Sequence, residues 1–465
     1  MPPRFPLLQP SAPPPTPTRL DGLPLRVEGW QELAGGPCAW RSLLSGPLPA
    51  VIGRREIDGV STVAVLFLFR VDDVAPADVL LHLNTLIDRN RADLSAALLE
   101  PLGEGWFGGC YWLPADAVLS YAFVVRPSGG FSGLGQCRRT WLEVRLSGRV
   151  DPGNPRRIRN GVGRLACLWE GPDYAANSLW HPLEVACSQA GHSSGDAAAA
   201  GDTSKQASQQ AGGQVAKQVT GPPAGEKTGA LPEAQGEAAI APGLLLELEG
   251  EFGARRAHFY RGGPAAQRPL LVLFDAERWL EAGYPWLVQR GGLAGTHDVL
   301  LLETGGGRER ANLLTDADAV RALVSAALAA VAQQRGHLPA RQVAVGGASC
   351  AGLAAAQLVA SAPHLAATAI SLSPSLWVGS GAPRGTGEGE LLRGLRAGAI
   401  HLPAGVRLYA AVGLHEGEMV ERCAQLTAVW RAAGGEAGLR YVRGGHDYAW
   451  WRHALSDAVL SWLGR

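Results

Sequence analysis

Two short stretches carry the residue types from which a nucleophilic acyl-transfer site can be built. Val343-Ala344-Val345-Gly346-Gly347-Ala348-Ser349-Cys350-Ala351-Gly352 reads as a strand running into Gly-x-Ser-x-x-Gly, followed by the helix-forming LAAAQLVAS. A serine at such a turn sits on strained backbone, so its neighbours must be small, and the turn lifts its hydroxyl out of the sheet edge. Far downstream, Arg440-Tyr441-Val442-Arg443-Gly444-Gly445-His446-Asp447 reads as a strand ending in a Gly-Gly turn that presents His446 where a general base must stand. His415, His401 and His453 are competing histidines with weaker local geometry.

An acid should orient the imidazole and stabilise its charged form, and it is expected after the penultimate strand, here Val406 to Val412. Glu416 is the candidate there, with Glu418 two residues on and Asp447 beside the base as alternatives. The chain order serine, acid, histidine is that of hydrolases built on a strand-to-helix elbow. Acyl transfer also needs amides aimed at the developing oxyanion. Cys350, directly after the nucleophile, supplies one through its backbone. The turn after Leu270 to Phe274 supplies the other, with Ala276 as the choice. Cys350 itself is expected to be a packed thiol.

The elements that position these residues lie in the second half of the chain. Leu270 to Phe274, His297 to Leu302, Val343 to Gly346 and Ala369 to Leu372 are buried-strand runs alternating with helical stretches, which implies a parallel sheet covered on both faces. Residues 244–465 are the right length for one α/β-hydrolase domain. Upstream, Ser61 to Arg70, Val79 to Leu83, Trp106 to Leu113, Ser120 to Val125 and Trp141 to Val150 read as short strands, which predicts an all-β immunoglobulin-like sandwich over 24–187. Between them, residues 188–243 hold almost no aromatic or large aliphatic residue and are expected to be a disordered low-complexity linker. Excising 190–240 should leave the melting temperature nearly unchanged. Residues 1–23 form a proline-rich stretch read as a disordered tail.

Composition excludes several classes of function. Forty-two basic residues balance forty-two acidic ones, so no global field points to nucleic acid or to a membrane surface. Seven scattered cysteines lack metal-ligand spacing, which predicts free thiols and no protein metal site. The most apolar helical stretch, Ala319 to Val331, is too short to span a bilayer. A cytoplasmic, soluble protein is the expectation.

These motifs together resemble the enterochelin esterase family. The resemblance rests on RPLLVLFDAERW (268 to 279), GGASCAGLAAA (346 to 356), SLSPSLW (371 to 377), GLHEGE (413 to 418), GGHDYAWWR (444 to 452) and, in the first half, DPGNP (151 to 155). It implies an esterase acting on iron-loaded enterobactin or a related trilactone siderophore, with Ser349 as nucleophile, His446 as base and Glu416 as acid. It implies no cofactor, since iron arrives as part of the substrate. It also implies pocket contacts from Arg310 and Arg308, because a ferric tris-catecholate carries a charge of about −3 that charge-assisted bonds would stabilise. Trp279 is expected to pack against catechol rings, and Arg138 and Arg139 are basic candidates from the first domain. The family favours glycine where Ala276 and Ala351 stand and an acidic residue where Leu313 stands. These departures leave open a carboxylesterase with another ester substrate, or a siderophore-binding protein without activity.

Overall fold

The first domain is a stack of strands rich in β-branched and aromatic residues. In chain order they are β1 (Leu25–Arg26), β2 (Ala50–Ile57), β3 (Val60–Arg70), β4 (Ala77–Leu83), β5 (Glu100–Gly103), β6 (Trp106–Pro114), β7 (Val118–Pro127), β8 (Arg157–Arg159) and β9 (Leu165–Glu170). A computed structural model describes residues 13–22, 24–72, 77–160, 163–175, 178–180, 241–264, 268–383 and 385–464. Two antiparallel sheets result, one ordered β1-β6-β3-β2 with β5 on β6, the other β4-β7-β9-β8. Val63, Val65, Phe67 and Phe69 of β3 share a core with Leu81, Tyr121, Phe123 and Trp169 of the second sheet. The other face of β3, with Ala64, Leu66 and Leu68, is covered by Leu20, Trp30 and Trp40. Burial on both faces explains why this strand reads as an unbroken apolar run.

Among the described residues four short helices decorate these sheets: α1 (Trp30–Leu33), α2 (Trp40–Leu43), α3 (Leu86–Arg89) and α4 (Arg138–Leu146). Helix α4 corrects one expectation, since Trp141 to Val150 was to be a strand. Its apolar residues fall at helical spacing, with Trp141 and Val144 buried and Leu142 and Leu146 exposed. The amino-terminal stretch needs a second correction. Residues 1–12 lie outside the described residues, but Arg19–Asp21 forms a helical turn capped by Thr18, with Leu20 buried. A disordered tail reaching residue 23 therefore does not describe it. Of the expected linker, residues 188–240 lie outside the described residues.

The second domain has one eight-stranded sheet of β10 (Leu244–Leu248), β11 (Arg255–Tyr260), β12 (Leu270–Phe274), β13 (Asp298–Leu302), β14 (Val343–Ala348), β15 (Thr368–Leu372), β16 (Arg407–Gly413) and β17 (Glu436–Val442). The order is β10-β11-β13-β12-β14-β15-β16-β17; β11 pairs antiparallel with both β10 and β13, and the other pairings are parallel. Helices α5 (Ala276–Glu281), α6 (Tyr284–Gln289), α7 (Gly307–Thr315), α8 (Ala317–Arg335), α9 (Cys350–Ser361), α10 (Glu390–Arg396), α11 (Glu418–Ala432) and α12 (Tyr448–Trp462) cover it. Leu270, Val272 and Phe274 point to the face packed by α7 to α11. Leu271 and Leu273 point to the face packed by α5, α6 and α12. Among the described residues no helix is long and apolar enough to cross a membrane.

The two domains share a core. Trp180, at the end of the first domain, is fully buried with Val118 and Leu168 against α12, and its indole donates to Ser456 Oγ at 3.1 Å. Helix α12 is thereby covered on both sides, which accounts for buried Arg452, His453, Ser456 and Asp457 beside its apolar residues.

Candidate active site

The carboxyl ends of β12, β14, β15, β16 and β17 are neighbours along one edge of the sheet, and the candidate residues sit just beyond them. Ser349 joins β14 to α9 with φ 62° and ψ −121°, a conformation that L residues rarely adopt. Its N–H donates to Leu372 O at 2.8 Å, and its carbonyl accepts from Leu353 N and Ser375 N, each at 3.1 Å. The small neighbours are required here. A Cβ on Gly347 would lie 2.5 Å from the Ala351 Cβ, and one on Gly352 would lie 2.9 Å from Leu372 O. Ala351 is accommodated because Gly347 leaves room for its methyl. Ser349 Oγ lies 3.3 Å from Ser375 Oγ. Cys350 is a buried thiol, as expected, whose sulfur lies 3.6 Å from the same Ser375 hydroxyl. As the first residue of α9 its amide has no partner within the helix.

After β17, His446 is about one-third exposed, and its Nδ1 lies 2.6 Å from Glu416 Oε2. Glu416, nearly fully buried after β16, accepts through its other oxygen from Ser373 Oγ at 2.6 Å and Gly413 N at 2.9 Å. Ser373 in turn accepts from Trp451 Nε1 at 2.9 Å. The Trp451 ring stands edge-on to the imidazole, centroids 4.7 Å apart. Each carboxylate oxygen thus has a fixed partner, which leaves Nδ1 protonated and Nε2 free to accept.

The alternatives are engaged elsewhere. Asp447 caps α12 through Ala449 N at 3.2 Å and binds the Ser120 amide and hydroxyl of the first domain. Glu418 is exposed and pairs with Arg422. His401 is exposed, and His453 is buried near Glu170. His415 is fully buried, its Nδ1 3.5 Å from Asp21 Oδ1. Burial drives its pKa down to about 4, against the attraction of Asp21.

The turn after β12 places Ala276, fully buried, as the first residue of α5 behind Asp275 in the left-handed region. Arg310 binds Asp275 through Nε at 2.5 Å and Nη2 at 2.7 Å, and Nη2 also reaches Ala348 O at 3.4 Å. Thr304 Oγ1 adds a bond to Asp275 at 2.6 Å. Burial opposes the charge of Arg310, yet Asp275 outweighs it and holds the guanidinium above its ordinary pKa. Arg310 therefore ties the turn before Ala276 to the residue before Ser349. Arg308 is exposed on α7, and Arg138 and Arg139 are exposed at the start of α4. Leu313 is buried in the core beside α8, so apolar packing replaces the carboxylate at that position.

Trp279 corrects an expectation. It is fully buried, donates Nε1–H to Phe274 O at 3.0 Å, and packs on Tyr284 and Tyr448. No face of it is open to a catechol ring. Ser373, Ser375 and Trp451 were missed as site residues, although the stretches carrying them are among those that bear the family resemblance.

Residues 306–462 match the model of the family described as "Putative esterase". The iron(III) salmochelin esterase of Escherichia coli O6:H1 strain CFT073 is 34% identical over 137 residues, 27% of this chain and 33% of that protein. The match thus spans about a third of that curated relative. The enterobactin esterase of Shigella flexneri, solved in the presence of enterobactin, superposes with a TM-score of 0.66 at 20% identity, over 89% of this chain and 95% of that one. The ferric enterobactin esterase of Salmonella typhimurium gives 0.64 at 19%, over 88% and 95%. These matches bear out the resemblance read from the motifs: the chain carries an esterase region similar to that of the salmochelin esterase, and its two-domain fold is similar to that of the enterobactin esterases.

Proposed function

We propose that the protein is a serine esterase that cleaves the ester bonds of an iron-loaded catecholate trilactone of the enterobactin type. The observation that carries this reading is the Glu416–His446 pair at 2.6 Å, its carboxylate held by Ser373, on the same sheet edge as a strained Ser349. The strand order and elbow support an α/β-hydrolase domain, and the two packed antiparallel sheets support an immunoglobulin-like one. Substrate class comes from the relatives, which are named for salmochelin and enterobactin.

In this mechanism His446 Nε2 takes the Ser349 proton as Oγ attacks the ester carbonyl, while Glu416 stabilises the imidazolium through Nδ1–H. The Cys350 and Ala276 amides hold the oxyanion, with Arg310 and Asp275 fixing the turn that carries the second. His446 then protonates the leaving seryl oxygen, and water, deprotonated by the same imidazole, releases the acyl group and restores Ser349. The iron is substrate, and no protein-bound cofactor takes part. We place this reaction in the cytoplasm, consistent with the free thiols of Cys38, Cys110, Cys137, Cys167, Cys350 and Cys423.

The test is incubation with ferric and iron-free enterobactin, followed by chromatography for dihydroxybenzoylserine. Release from the ferric form supports the reading. Hydrolysis of simple esters without release from either form would reassign the protein to another ester substrate.

A further inference from the structure

The loop that carries His446 is held by the first domain as well as by its own. Within its own domain, Trp450 Nε1 donates to Gly445 O at 2.5 Å. From the first domain, Val118 N donates to Arg443 O at 2.9 Å, Ser120 binds Asp447, and Thr85 Oγ1 accepts the His446 amide at 2.6 Å. Asn84 Nδ2 reaches the His446 carbonyl at 3.5 Å.

Thr85 adopts φ 71° and ψ −48° to do so. A positive φ is unfavourable for any L residue and worst for a β-branched one, so surrounding bonds must hold it. Asp88 does this: Oδ2 accepts Thr85 N–H at 3.0 Å, while Oδ1 accepts from Trp141 Nε1 at 2.6 Å and meets His82 Nε2 at 3.1 Å. The turn also fits closely against the base loop. A Cβ on Gly445 would lie 2.5 Å from the Thr85 side chain and 3.0 Å from Asn84 O. Four residues on, Arg89 Nη1 donates to His415 O at 2.9 Å, and the guanidinium packs against Gly417, so the same turn braces the loop of Glu416.

We propose that Thr85 is a positioning residue for the base: it fixes the His446 backbone, and with Arg89 it sets the base loop and the acid loop in register across the domain boundary. Without the Thr85 hydroxyl the His446 amide loses its acceptor, and the residue that carries the ring is held through its neighbours and the 3.5 Å contact of Asn84 alone. Of the candidate catalytic residues the hydroxyl touches His446 alone, so its removal should alter the chemical step and spare substrate binding. This inference rests on the serine-esterase reading above.

The test compares wild type with Thr85→Val, which keeps the β-branch and removes the acceptor, and Thr85→Ser, which keeps the acceptor. Hydrolysis of p-nitrophenyl butyrate gives kcat and KM, and the rate of fluorophosphonate capture at Ser349 is followed from pH 5 to 9. Expected for Thr85→Val are a kcat at least tenfold lower, a KM within about twofold of wild type and a displaced pH profile of capture, with Thr85→Ser close to wild type. A folded Thr85→Val with wild-type kcat and pH profile overturns the proposal, as does a Thr85→Ser as impaired as Thr85→Val. Should Thr85→Val not fold, exposed Arg89→Met decides: lowered kcat at unchanged KM supports the shared brace, and wild-type kcat overturns it. A wild type that neither hydrolyses the ester nor is captured at Ser349 refutes the esterase reading itself, and this proposal with it.

Discussion

Glu416 divides its two oxygens between His446 and the Ser373–Gly413 pair, so a neutral amide there would serve neither well. Glu416→Gln should lower kcat on the order of 10⁴-fold by favouring the wrong imidazole tautomer. Ser349→Ala and His446→Ala should cost more, on the order of 10⁵- to 10⁶-fold, with circular dichroism unchanged. Trp279 belongs to a different class. Trp279→Phe should lower stability by about 1–2 kcal/mol, through loss of the indole bond to Phe274 O, with KM unchanged. Urea denaturation and steady-state kinetics on the same preparation check both halves; a raised KM would return Trp279 to the substrate pocket. Ser349 and His446 were legible because small residues and strand ends mark them locally. Trp279 was misread because an aromatic within a motif carries no sign of which way it points. Asp447 could not be separated from Glu416 by sequence, since its partner Ser120 lies in the other domain.

At the scale of elements, the acid loop between β16 and α11 contains His415, whose ring nitrogens have no hydrogen-bond partner among the described residues. Asp21 Oδ1 faces it at 3.5 Å, with Arg89, Arg443 and Glu416 the other charges acting on it. Its folded pKa, near 4, is below the unfolded value of about 6.5, so the unfolded chain binds a proton that the folded one refuses. Stability is therefore full above about pH 6.5 and falls as pH drops toward 4, by on the order of 3 kcal/mol from this residue. His297, depressed by burial to about 3, acts in the same sense. His415→Leu should flatten the loss between pH 7 and 4 without abolishing it, as read by denaturant unfolding; equal slopes in both proteins would contradict the assignment. Most strands were readable because buried runs such as Leu270 to Phe274 are short, apolar and bounded by turns. Helix α4 was not. Its aromatic and β-branched residues favour a strand, and only the burial of Trp141 and Val144 on one side shows which period prevailed.

On the scale of the whole molecule, the first domain covers α12, takes up Trp180 and binds both loops of the candidate site. Residues 241–465 expressed alone should expose apolar surface and bind a hydrophobic dye, and should hydrolyse p-nitrophenyl butyrate at least tenfold more slowly than the full chain. Equal rates would show that the first domain serves substrate binding only. Two domains were visible from composition, whereas their shared core was not, because Val118, Leu168 and Trp180 look like ordinary residues of a sandwich. The proposed mechanism makes Ser349 a nucleophile activated by His446. It is tested most directly by treating the folded protein with a fluorophosphonate and locating the adduct by peptide mass spectrometry. A single adduct on Ser349 is expected, formed at least 10³-fold more slowly in His446→Ala; an unmodified Ser349 in folded protein, or equal rates in the two proteins, would overturn the mechanism.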